Sequence, residues 1–155
     1  MSDLYESYNY EVSYRAVLNL DDSIKVFTDK DIIEVSNSIS FDIEKNYKTS
    51  FSYFSVSILS DIMYGLLLEA KKENLDLQDV EGRINVNLKN PLTILAVKGY
   101  NEKAKIDKIS LTIYFYLELF DKKLDDFLKN VLDNCFIYNS IKDCVNIDVK
   151  FKQIL

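Results

Sequence analysis

The sequence predicts an α+β fold, and three observations carry that prediction. Segments of alternating polarity come first, over residues 8–43, and return at 83–119 and 145–151. A long apolar stretch without proline, 53–72, separates them. A second helical pattern at 121–135 lies between the last two strand segments. Runs of strands with segregated helices indicate α+β architecture and not a βαβ repeat.

In residues 8–20, Tyr8, Tyr10, Val12, Tyr14, Ala16 and Leu18 share one parity, and Asn9, Glu11, Ser13 and Arg15 share the other. This predicts a half-buried strand rich in β-favouring aromatics. Asp21-Asp22-Ser23 reads as a turn. Residues 24–28 and 32–43 read as further strands, completing an antiparallel meander. Apolar residues in 53–72 cover most of a helical circumference, which predicts a largely buried helix. Lys71 and Lys72 suit its C-terminus, and Asn74 suits a left-handed cap. Three strands are expected next, at 83–89, 93–98 and 105–119. Asp121 is expected to cap a second helix. There Leu124, Phe127, Leu128, Val131, Leu132 and Cys135 recur at steps of three and four. A further helical turn is expected at 136–142, and a closing strand at 145–151.

Composition bounds what such a domain does. A chain of 155 residues has the size of one domain, so a single domain over 1–155 is expected. Apolar residues make up 48% of it, and it has three glycines and one proline. That supplies a core and leaves no linker. The net charge is −6, with Arg15 and Arg83 as the only arginines. An acidic chain with scattered lysines is a poor phosphate binder, so nucleic acid is not an expected partner. No uninterrupted apolar run reaches the length of a membrane span, so no membrane is expected either. The acidic opening Met1-Ser2-Asp3-Leu4-Tyr5-Glu6 is unlike a secretory signal, and two cysteines make no disulfide framework. Both features point to a reducing cytoplasm.

The chain has no histidine. This removes Ser-His-Asp and Cys-His nucleophile systems and histidine-based metal sites. Two cysteines cannot make a four-cysteine site, and neither common nucleotide-binding glycine motif is present. The chemistry-bearing candidates are few. Asp61 interrupts an apolar run and shares a helical face with Phe54, Ile58, Gly65 and Leu68. It is a site carboxylate, a helix cap or a partly exposed residue. Cys135 ends an apolar helix face, where a free cysteine is ordinarily a small buried hydrophobe. Cys144 stands where the last strand begins. Tyr114 and Tyr116 oppose the apolar parity of their strand, so both of its faces look buried.

The order of elements over 53–151 resembles that of the osmotically inducible protein C and organic hydroperoxide resistance (OsmC/Ohr) family. Ala70-Lys71-Lys72-Glu73-Asn74-Leu75-Asp76-Leu77 is similar to the family's stretch at the end of its central helix. Asn134-Cys135-Phe136-Ile137-Tyr138-Asn139-Ser140-Ile141 resembles the stretch around its second cysteine. The resemblance implies an intertwined homodimer and a thiol peroxidase acting on organic hydroperoxides, with no metal or organic cofactor. In that chemistry one thiolate attacks the peroxide, becomes a sulfenic acid and condenses with a second cysteine, and an arginine favours the thiolate. Cys135 matches the second cysteine, and Arg15 lies on a strand suited to the arginine. The position expected for the first cysteine falls on Asp61, no glutamate lies between Ser50 and Ser60, and Phe136 replaces a proline. Two readings follow. One is a peroxidase that relies on Cys135. The other is a non-catalytic protein of the same fold, with Asp61 and Arg15 lining a site for an apolar small molecule or a partner.

Overall fold

In the computed structural model of the protein, which describes residues 10–40 and 48–155, the chain groups into two units, Met1–Phe54 and Ser55–Leu155. The first holds an antiparallel sheet in the order β1 (Arg15–Leu18), β2 (Ile24–Phe27), β3 (Ile32–Val35). The β1–β2 turn is fixed by Asp21, whose Oδ1 accepts bonds from the Ser23 N–H at 3.0 Å and hydroxyl at 2.6 Å. Those bonds hold the Asp21 carboxyl below its usual range. The strands are shorter than predicted. The expected strand at 8–20 narrows to 15–18, and the one at 32–43 to 32–35. Each persists only where β2 supplies a ladder partner, and β2 is four residues long. Residues 8, 9 and 41–43 of those expectations lie outside the described residues.

The central helix α1 spans Ser50–Lys72. It begins three residues earlier than its apolar pattern, because Thr49 caps it: its Oγ1 accepts the Ser52 N–H at 3.1 Å. It ends as predicted, with Asn74 at φ 55° and the Leu75 N–H returning to the Ala70 carbonyl at 2.8 Å.

The second unit has β4 (Gln78–Lys89), β5 (Lys105–Tyr116) and β6 (Asn146–Ile154) in the sheet order β4-β5-β6. β4 and β5 are antiparallel, but β6 runs parallel to β5. The expectation of antiparallel sheets is corrected here to one antiparallel and one mixed sheet. The cause is the crossover through α2 (Asp121–Asn134) and α3 (Phe136–Ile141), which returns the chain to lie alongside β5 in the same direction.

Ile109, Leu111, Ile113 and Phe115 of β5 are fully buried on one sheet face, together with Phe127 and Val131 of α2. Ile58, Ile62 and Leu66 of α1 join this core. Fully burying each such side chain stabilises by about 1.5–3 kcal/mol. Gly82 on β4 lets α1 come close, since a Cβ there would stand 2.7 Å from Met63 Sδ and 2.8 Å from a Leu59 methyl. By length and composition α1 would pass for a membrane-crossing helix, but its buried inner face makes it the core helix of this unit.

Three further expectations are corrected. No strand forms at 93–98; a 3₁₀ turn at Pro91–Thr93 and further turns occupy that stretch. Asn90 at φ 54° turns the chain out of β4, and Pro91 has no N–H for a ladder. α1 is buried on one side only: Val56, Tyr64 and Leu68 are exposed, and Leu68 does not share the buried face of Gly65. Asp121 does not cap α2; the cap position is Phe120, without a side-chain bond. The second face of β5 is half-exposed in this chain, and Tyr114 lies there between the Arg83 guanidinium and the Lys152 ammonium, 5.6 and 5.5 Å from its ring.

Candidate functional site

Cys135 is the hinge between α2 and α3. Its backbone is extended, at φ −80° and ψ 98°, and so ends one helix and starts the next. The junction is satisfied from both sides. Asn139 Nδ2 donates to the Asp133 carbonyl at 2.9 Å and to the Leu132 carbonyl at 3.0 Å, which also accepts the Cys135 N–H at 3.2 Å, so these last-turn carbonyls of α2 are satisfied. At the start of α3, the Tyr138 N–H donates to Asp61 Oδ2 at 3.0 Å. The carboxylate of one helix thus caps another.

Three residues of α1 receive this junction: Asp61, Gly65 and Glu69. They stand at i, i+4 and i+8, on one face of the helix. Asp61 takes the Tyr138 N–H. Gly65 leaves room for the Cys135 sulfur, which a Cβ at that position would overlap. Glu69 is buried, at 3% exposure. It accepts a bond from Asn134 Nδ2 at 3.4 Å and pairs with Lys72 at 3.5 Å.

The Cys135 thiol is 1% exposed. It donates to the Val131 carbonyl at 3.1 Å and lies 3.6 Å from the Asp61 carbonyl oxygen. Burial, and after it the negative Asp61 carboxylate, pushes the thiol from 9.0 up to about 12. The site therefore holds a protonated sulfur whose proton is already placed on a carbonyl.

Of the residues singled out in the sequence, Cys135 and Asp61 come together although 74 positions apart. Arg15 lies in the first unit, on β1, with its guanidinium 5.3 Å from the Phe27 ring centre. Cys144 is a free, exposed thiol in the turn after α3. Arg83 bonds Glu81 on the open sheet face at 2.9 Å. Sequence reasoning missed Glu69 and Asn139, and Gly65 as the residue that admits the thiol. The four-residue spacing Asp61-Gly65-Glu69 was the available signal. Among the described residues no group of three His, Cys, Asp or Glu side chains is placed to hold a metal. Between α1 and β4, a largely apolar cavity of about 400 Å³ is lined by Ser60, Met63, Tyr64, Leu67 and Val80.

The model of the OsmC-like protein family matches residues 44–150, which include all of α1 and the whole junction. The chain belongs to the OsmC family. Solved structures agree on the fold of this OsmC-family protein. An OsmC-like protein from Mycoplasma pneumoniae superposes with a TM-score of 0.73 at 15% identity, over 95% of this chain and 99% of that one. An OsmC-like protein of unknown function from Vibrio cholerae gives 0.66 at 17% identity, over 94% and 100%. An organic hydroperoxide resistance protein from Elizabethkingia anophelis gives 0.61 at 10% identity, over 94% and 98%. No curated protein sequence matches the chain.

Proposed function

We propose that this OsmC-family protein is a non-catalytic member of its family, in which Asp61 stands where a first cysteine would and Cys135 remains a structural thiol. The observation that carries the reading is the Cys135 sulfur itself, buried against Gly65 and donating its proton to the Val131 carbonyl at 3.1 Å. Peroxide reduction needs a thiolate: the S–O bond forms as the O–O bond breaks, and the leaving alkoxide takes a proton. A thiol pushed to about 12 is ionised in on the order of one molecule in 10⁵ at pH 7. The nearest carboxylate, Asp61, opposes ionisation where an arginine would favour it.

What the fold offers in place of turnover is apolar surface. The cavity beside Met63 and Leu67 suits a small apolar molecule. The exposed Val56, Tyr64 and Leu68 of α1 suit burial against a second subunit, so the working form is a cytoplasmic homodimer.

The test is consumption of an organic hydroperoxide with a dithiol reductant, comparing the natural sequence with Cys135→Ser. The expected result is the background rate of the reductant in both proteins. A clear activity that Cys135→Ser abolishes would overturn the reading and establish a one-cysteine peroxidase.

A further inference from the structure

The connection from β4 to β5 is long, running from Asn90 to Ala104, and its tip is apolar and uncovered. Ile94 is 42% exposed, Leu95 52%, Val97 39% and Tyr100 52%. A soluble surface rarely gathers four such side chains on one loop. The loop is also preformed. Asn90 Nδ2 donates to the Lys103 carbonyl at 3.1 Å, and the Thr93 hydroxyl to the Glu102 carbonyl at 2.6 Å, closing its base. Inside it, the Val97 N–H returns to the Leu92 carbonyl at 3.3 Å. Presenting the tip therefore costs little ordering.

Charge identifies the occupant. From Lys89 to Lys105 the chain carries four lysines and one glutamate, a net charge of +3 in a protein of net charge −6. Lys89 is paired with Asp107 at 2.9 Å. Lys98, Lys103 and Lys105 are exposed and make no ion pair among the described residues. An exposed apolar loop that holds a tyrosine and carries unpaired lysines within and after it has the composition of a segment seated in the headgroup layer of an anionic bilayer. A second copy meeting it loop to loop is a poor occupant, because that contact would set the same lysines against one another.

We propose that the 90–104 loop docks this protein on anionic membrane surfaces, with Ile94, Leu95 and Val97 inserted and Lys98, Lys103 and Lys105 on the lipid headgroups. The acidic remainder of the chain is repelled from the same surface, which orients the molecule loop-down. The sequence expectation of no membrane partner rested on spanning segments and did not weigh a surface contact.

The test is co-sedimentation of the full chain with phosphatidylcholine vesicles, with and without about 30% phosphatidylserine, at low and high salt. Binding to the anionic vesicles is expected, falling several-fold in high salt and several-fold on neutral vesicles. Ile94→Asp with Leu95→Asp lowers it about tenfold or more, as does Lys98→Glu with Lys103→Glu. All four positions are exposed, so melting temperatures stay unchanged. Absence of vesicle binding overturns the proposal, and so does binding that survives either pair of substitutions. An oligomer in gel filtration that Ile94→Asp with Leu95→Asp dissociates would assign the tip to a protein contact and overturn it too.

Discussion

Gly65 and Cys135 share one space: the sulfur of Cys135 fills the volume that any side chain at position 65 would take. The helix-weakening residue in the middle of α1 thus has a packing reason. Gly65→Ala is expected to destabilise the protein by about 1–3 kcal/mol through overpacking. In a Cys135→Ala background the sign reverses. With the sulfur gone, the next neighbours of the added methyl are the Val131 carbonyl at 3.4 Å and a Val131 methyl at 3.6 Å. The propensity gain of Gly→Ala in a helix, up to about 1 kcal/mol, then shows through. Urea unfolding of the two single variants and the double variant checks this. Additive effects would mean that the two residues do not compete for the space.

Asp61 has two separable effects on the junction, a cap and a charge. Asp61→Ala removes both, leaves the Tyr138 N–H without its acceptor and is expected to cost about 1 kcal/mol or somewhat more. Asp61→Asn keeps an acceptor oxygen and loses less stability. Both variants remove the negative charge beside Cys135, so the thiol titrates below its present position near 12 in both. Thiolate absorbance against pH, in a Cys144→Ser background, reads the second effect while thermal melts read the first. A thiol that does not move in either variant would leave burial as its sole cause.

The sequence displays the register of α2 plainly, since Phe127, Val131 and Cys135 recur at four-residue steps and all three are buried. It hides the 91–100 loop. Thr93-Ile94-Leu95-Ala96-Val97 has the composition of a strand, yet the left-handed backbone of Asn90 and the missing N–H of Pro91 decide its conformation first. It also hides the direction of β6, because alternation marks a strand without saying which way its neighbour runs. The approach of Asp61 to Cys135 was legible only through family resemblance. Nothing local at either position speaks of a residue 74 positions away. Glu69 went unseen because a glutamate near the end of a lysine-tipped helix reads as solvated, whereas here its side chain is buried and bonded by the exposed Asn134.

The two thiols should separate by reactivity. Cys144 is exposed and Cys135 is not. With an aromatic disulfide reagent at neutral pH, one thiol reacts promptly, and the second is expected only in urea. Cys144→Ser abolishes the prompt phase and leaves the slow one. A prompt phase that survives Cys144→Ser would show Cys135 to be reachable in the folded state and would count against the structural-thiol reading.

The raised thiol also sets a pH limit on stability. A group whose folded pKa lies above its unfolded one favours the folded state at low pH, where both states hold the proton. That advantage is lost as pH rises from the unfolded value toward the folded one, because only the unfolded chain gives up its proton there. For Cys135 the window runs from about 9.0 to about 12. The urea midpoint of the natural sequence is therefore expected to fall across this window more steeply than that of Cys135→Ala, all other titrating groups being common to both. The two curves should run parallel below it, offset by the packing lost with the sulfur. Equal slopes above pH 9.0 would mean that the folded protein releases the Cys135 proton as readily as the unfolded chain does, and the thiol would then be open to the chemistry that the Val131 carbonyl and Asp61 otherwise deny it.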